Sequence, residues 1–211
     1  MLKIKQFHMG PLSTNCYLVW DDDKIGYLFD IGGTDTERLE TFLKTEQITL
    51  KYIILTHGHG DHIGGLNVFV KRHPEARVYI GKEDVKFLRN PELNMVHYMG
   101  GDIFTYDGDE PITLKDGDKV GVFEVIDSPG HSIGSKCFYS KDDKLLISGD
   151  TMFKNSYGRY DLPTGSGEDL FKSLKKLCDT LPDDTVVYNG HTEDTTIGEE
   201  KKFLKAIGIL P

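Results

Sequence analysis

The chain has 211 residues, 38% hydrophobic and 28% charged, a make-up that fits a globular protein and excludes a disordered or fibrous one. A formal net charge of -9 argues against nucleic acid or an anionic membrane as partner and leaves a small-molecule substrate as the expected one. Cys16, Cys137 and Cys178 form no Cys-x-x-Cys pair, which argues against a disulfide framework or a thiolate zinc site and fits three small buried hydrophobes in a reducing compartment.

The stretch Met1 to His8 lacks the apolar run of a secretory signal, and no segment approaches the ~20 apolar residues that span a bilayer. The expectation is a soluble, cytoplasmic protein. Leu2 to Phe7, Asn15 to Trp20 and Gly26 to Asp30 read as strands, the second and third separated by the acidic turn Asp21-Asp22-Asp23. A helix is predicted from Thr36 to Thr45, where Leu39, Phe42 and Leu43 recur at helical spacing. Tyr52 to Leu55 is a continuous apolar run suited to a strand buried on both faces, and it leads straight into a His-rich loop. A helix follows over Leu66 to His73, stopped by Pro74. Arg77 to Ile80 then reads as a strand and Glu83 to Arg89 as a short helix.

Residues 90–118, rich in Gly, Asp and Pro, show no regular pattern; such a stretch is either an active-site flap, with 95–99 lining a pocket, or a few short strands. Further strands are expected at Val120 to Ile126, Lys136 to Tyr139, Leu145 to Ile147 and Thr185 to Tyr188, and helices at Leu170 to Leu177 and Glu199 to Ala206. Strands in the middle with helices at intervals predict a layered α/β arrangement. With no repeat and no linker, residues 1–211 read as a single domain.

Four of the six residues from His57 to His62 are potential metal ligands and the other two are glycines, which permit unusual backbone angles. In extended backbone His57 and His59 point the same way and can grip one ion, whereas Asp61 and His62 point differently and suit a second. Imidazole with carboxylate suits zinc, iron or manganese better than calcium or magnesium. Three isolated residues follow strands in Gly-containing turns: His131 in Ser128-Pro129-Gly130-His131-Ser132, Asp150 in Ile147-Ser148-Gly149-Asp150-Thr151, and His191 in Asn189-Gly190-His191-Thr192. His8, His73 and His97 lie outside these motifs and read as surface or flap residues, and Trp20 as packing.

The series Thr56-His57-Gly58-His59-Gly60-Asp61-His62-Ile63-Gly64-Gly65, Pro129-Gly130-His131-Ser132, Ser148-Gly149-Asp150-Thr151 and Asn189-Gly190-His191-Thr192 resembles the metallo-β-lactamase superfamily. The resemblance implies an αββα sandwich with two divalent metal ions at one edge of the sheets, zinc first and iron or manganese as alternatives. It further implies that His57, His59 and His131 hold one ion, that Asp61, His62 and His191 hold the other, and that Asp150 bridges them.

Asp150, where the β-lactamase branch is expected to lack the carboxylate, and His59, where flavodiiron proteins place Glu, narrow the resemblance to the glyoxalase II branch, the hydroxyacylglutathione hydrolases. Leu12 to Val19, Phe153, Gly158-Arg159-Tyr160-Asp161-Leu162-Pro163 and Thr196 to Lys201 are similar to segments of its short members. Arg159 is read as pairing with Asp161 and fixing the loop beside Asp150, rather than as a substrate contact. Full-length glyoxalase II has a C-terminal helical domain that supplies much of its glutathione site, and here only 20 residues follow His191. The implied reaction is hydrolysis of a thioester or related acyl bond by a hydroxide shared between metals ~3.5 Å apart, with Asp61 orienting it. Alternatives within the superfamily are a persulfide dioxygenase with one iron on His57, His131 and Asp150, and a lactonase or phosphodiesterase on the two-metal core.

Overall fold

The computed structural model describes residues 1–100 and 103–211, without the side chain of Met99. It divides into two compact units, Met1–Leu114 and Lys115–Pro211.

In the first unit β1 (Lys3–Met9), β2 (Thr14–Trp20), β3 (Ile25–Phe29), β4 (Thr49–Ile54), β5 (Arg77–Gly81) and β6 (Ile112–Leu114) lie side by side in that order. The first three pair antiparallel, and β3 through β6 pair parallel. Every residue of β2 is buried, as a central strand requires, whereas β1 alternates exposed and covered positions at the sheet edge.

The parallel half needs crossovers, and helices supply them. α1 (Glu37–Thr45) joins β3 to β4, and α2 (Gly60–Ile63) with α3 (Leu66–Arg72) joins β4 to β5. α1 buries Leu39 and Leu43 on one face and carries Glu37 and Glu40 in its first turn and Lys44 in its last, which complements the helix dipole. Leu18, Leu28, Ile53, Leu66 and Phe69 belong to the core of this unit. Trp20 packs edge-on against Phe42 at 5.5 Å, as expected. His73, expected at the surface or in a flap, is instead partly buried, with Nε2 hydrogen-bonded to Glu40 Oε2 at 2.9 Å.

Residues 90–118 resolve into short pieces. Asn90 caps α4 (Pro91–Asn94) by accepting from the Glu92 N–H, a 3-10 turn spans Val96–Met99, and β6 is the one strand in this stretch among the described residues. Gly101 and Asp102, and the side chain of Met99, are outside the described residues.

In the second unit the strands are β7 (Lys119–Val120), β8 (Phe123–Asp127), β9 (Lys136–Ser140), β10 (Leu145–Gly149), β11 (Met152–Phe153), β12 (Ser156–Tyr157), β13 (Val186–Asn189) and β14 (Thr195–Thr196). One sheet has the order β14-β13-β10-β9-β8-β7, and β11 with β12 forms a separate ribbon. The run expected as one strand over Val120 to Ile126 is broken, because the chain turns at Gly121 with φ +58 and pairs β7 back onto β8. α5 (Gly167–Thr180) is longer than expected: Ser166 accepts the Asp169 N–H and starts the helix three residues before Leu170. α6 (Ile197–Ala206) starts likewise at Thr196, whose side chain accepts the Glu199 N–H. Leu170, Leu174, Leu177, Ile197 and Leu204 belong to this unit's own core. Among the described residues no helix is long and apolar enough to cross a membrane.

Candidate metal centre

The topology sets where the ligand-type residues emerge. β3 and β4 are parallel neighbours, so the turn at Asp30 and the loop beginning at Thr56 leave the same edge of the first sheet. In the second sheet β8 is antiparallel to β9, β9 to β10, and β10 parallel to β13. β8, β10 and β13 therefore run in one direction. Their C-terminal ends lead to His131, Asp150 and His191 respectively, the edge where α/β sheets place their sites.

In the first unit His59 is extended, and α2 then turns the chain so that Asp61 and His62 follow. The ring of His57 lies 4.8 Å from that of His59 and 4.2 Å from that of His62, centroid to centroid. All four ligand-type residues of the loop are buried. The loop glycines are there for close approach, not for unusual backbone angles. A Cβ on Gly58 would lie 2.3 Å from Phe87 Cβ, and one on Gly60 would lie 2.4 Å from Val96 Cα.

Asp30 organises this group and was missed in the sequence. It accepts the Thr56 N–H at 2.8 Å and the Thr56 hydroxyl at 2.8 Å, and it accepts from His62 Nδ1 at 2.7 Å. With its proton committed to Asp30, Thr56 Oγ1 accepts from His57 Nδ1 at 3.1 Å. Both rings are thereby held in the tautomer whose Nε2 carries the lone pair, the form a metal binds. Asp84 accepts the Gly58 N–H at 2.9 Å, and Thr14 donates to Asp61 Oδ2 at 3.3 Å. A signal for Asp30 existed: Phe29-Asp30-Ile31-Gly32-Gly33 is a strand end running into glycines, like the contexts of Asp150 and His191.

In the second unit Asp150 Oδ2 stands 3.5 Å from His131 Nε2 and 3.3 Å from His191 Nε2. In the first, Asp61 Oδ2 stands 3.6 Å from His62 Nε2. These spacings exceed the usual 2.7–3.2 Å of an N–H···O bond. They match the ~3.4 Å between two atoms that each sit ~2.1 Å from one tetrahedral ion. His131 Nδ1 donates to the main-chain oxygen of Arg159 at 2.7 Å, which again leaves Nε2 with the lone pair a metal could use. Asn189 secures the third loop by accepting the N–H groups of His191 and Thr192 at 3.1 and 2.7 Å. The donor chemistry and spacings of both groups fit divalent metal.

Arg159 pairs with Asp161 through bonds of 2.7 and 2.8 Å, as the sequence suggested, and the Arg159 guanidinium lowers the Asp161 carboxyl to about 2. A depressed carboxyl adds stability above its unfolded value near 3.8 and loses it as pH falls toward 2. The pair is exposed, so solvent screens this contribution. Arg159→Gln is expected to return the Asp161 titration to the ordinary carboxylate range by NMR and to change kcat/KM less than about threefold. A larger loss in kcat/KM would make Arg159 a substrate contact.

The three thiols are buried. Burial, with Asp30 nearby, pushes the Cys16 thiol up, and burial takes Cys137 and Cys178 to about 11. None is poised as a nucleophile.

A family model described as the metallo-β-lactamase superfamily matches residues 9–191. The hydroxyacylglutathione hydrolase GloC of Haemophilus influenzae is 34% identical over 95% of this chain and 96% of its own length. The crystal structure titled BLEG-1 B3 metallo-β-lactamase is 38% identical with a TM-score of 0.87, covering 95% of this chain and 97% of that one. The di-iron-bound form of TTHA1623 is 32% identical with a TM-score of 0.84, covering 94% and 98%.

Proposed function

Proceeding from the fact that this chain belongs to the metallo-β-lactamase superfamily and has its mixed α/β, two-sheet fold, we propose that it is a two-metal hydrolase of thioesters or related acyl bonds. His57, His59 and His131 would hold one ion, and Asp61, His62 and His191 the second, with Asp150 shared by both. The same reading takes residues 1–211 as one functional domain.

The observation that carries the reading is that one oxygen, Asp150 Oδ2, stands 3.5 Å from His131 Nε2 and 3.3 Å from His191 Nε2, so the carboxylate assigned to the bridge is at ligand spacing from an imidazole of each proposed set. Two divalent ions, if held by these residues, would supply Lewis acidity that brings water toward deprotonation near neutral pH and polarises an acyl carbonyl. The protein's own part is orientation. Asp61, fixed by Thr14, directs the attacking water and takes its proton at Oδ. Water oxygen bonds to the acyl carbon, the carbon–sulfur bond breaks, and the thiolate leaves and is protonated. Asp30, Thr56 and the Arg159 carbonyl hold the imidazoles in the binding tautomer throughout.

GloC, named a hydroxyacylglutathione hydrolase, matches over 96% of its length, which supports a thioester substrate for a chain of this size. The di-iron title of TTHA1623 keeps iron beside zinc as the metal. The B3 metallo-β-lactamase title of BLEG-1, at 38% identity, weakens the exclusion of the β-lactamase branch drawn from Asp150 and brings β-lactams into the test.

The test is metal-analysed protein assayed against thioesters, lactones, phosphodiesters, β-lactams and glutathione persulfide. Near two ions per chain with turnover confined to thioesters is the expected result. One iron per chain with oxygen consumption on the persulfide, or turnover confined to another class, overturns it.

A further inference from the structure

The first unit contains a cleft of about 890 Å³ that has Asp61 in its wall, and its far side is formed by β1 and the turn that follows β3. Its volume lies in the range of sites that enclose a drug-sized ligand. Met9, Val68 and Val96 give it an apolar stretch, and Thr34, Asp35 and Arg38 line it with polar groups. Asp35 and Arg38 are exposed. Among the described residues neither enters an ion pair or a side-chain hydrogen bond, although charged side chains elsewhere in the unit pair repeatedly. A cleft that reaches a reaction-site carboxylate and carries one carboxylate and one guanidinium, both uncommitted, matches a ligand bearing an ammonium and a carboxylate.

We propose that this cleft is the subsite for the thiol portion of the substrate, and that Asp35 and Arg38 recognise the amino and carboxylate groups of a small peptide thiol. Arg38 grips the carboxylate through its planar fork, and Asp35 takes the ammonium. The acyl end then lies toward Asp61. The inference rests on the thioester reading above. It gives this chain a charged-end recognition site within its first unit.

The experiment is calorimetric titration of the metal-loaded protein with S-methylglutathione, a thioether that cannot be hydrolysed. The neutral thioether S-methyl-N-acetylcysteamine is the control. Arg38→Gln is expected to weaken S-methylglutathione binding about tenfold and Asp35→Asn about threefold, with the neutral thioether unchanged. In kinetics Arg38→Gln should raise KM for a glutathione thioester, leaving kcat and the turnover of a neutral thioester as in the wild type. Wild-type affinity for S-methylglutathione in both variants, or no binding by the wild type, overturns the proposal. Hydrolysis of the neutral thioester reports on the catalytic reading alone: its failure with charge-dependent S-methylglutathione binding intact rejects that reading and not the subsite.

Discussion

Replacing Asp150 with Ala is expected to remove bound metal and activity together, lowering kcat/KM at least about a thousandfold, or about 4 kcal/mol of transition-state stabilisation. The carboxylate is buried and its Oδ2 lies within 3.5 Å of Nε2 of both His131 and His191. Alanine removes the carboxylate the two imidazoles would share with metal, and leaves Asp61 as the one anion of the proposed ligand set. Stability should separate this from simple misfolding. Burying a carboxylate carries a desolvation cost that offsets much of what its contacts contribute, so metal-free Asp150→Ala should melt within a few degrees of the metal-free wild type. The rise in melting temperature on adding zinc, which follows from preferential binding to the folded state, should disappear in the variant alone. Elemental analysis, steady-state kinetics and thermal melts with and without metal make the check. A metal-free variant that retains full turnover would sink the mechanism.

Gly158→Ala is the second large effect, and it acts without touching any ligand side chain. A Cβ at 158 would lie 1.8 Å from the Asp150 carbonyl oxygen and 3.3 Å from His131 Nδ1. The first distance is far inside van der Waals contact, and the obstacle is backbone, so the segment must move outward. The next residue is Arg159, whose carbonyl accepts from His131 Nδ1 at 2.7 Å. Displacing it releases the constraint on the tautomer and tilt of His131. Loss of such an outer partner costs roughly 10–100-fold in metal affinity, and overpacking a closed site costs about 1–3 kcal/mol of stability. Chelator competition and urea unfolding measure the two effects. Wild-type metal affinity in Gly158→Ala would mean that this main-chain contact does not position His131.

How much of this was legible depended on what each feature rests upon. The strands and longer helices follow from local periodicity, and β2, α1 and α3 lie within a residue or two of their expected bounds. β11, β12 and β14 are two residues each, too short to carry a pattern. The irregular stretch after Arg89 is held by side chain to main chain bonds, such as Asn94 Nδ2 donating to the Phe87 and Phe104 carbonyls, which leave no periodic mark. Asp30 ends a strand as Asp150 does, but its role is to hold Thr56 and His62, which lie 26 and 32 residues away and are brought to it only by the fold. His73 was misjudged because its partner, Glu40, is 33 residues away.

The sequence by itself determined what the His57–His62 loop offers: four residues of ligand type in six, the order of the motifs that follow, and the family they resemble. Asp150 was legible as a candidate ligand for the same reason, since residue type and strand-to-glycine context are local properties; its bridging role was what the family resemblance implied. Only the tertiary structure decided what holds those ligands in their working state. Asp30 acting through Thr56 and His62, the Arg159 carbonyl on His131, and the tight approach at Gly158 depend on strand register and on chain segments brought within 3 Å from tens of residues away. Coordinating power is written in side-chain type. The tautomer and aim of each imidazole are set by its neighbours in space, many of them main-chain groups whose sequence identity carries no trace of the role.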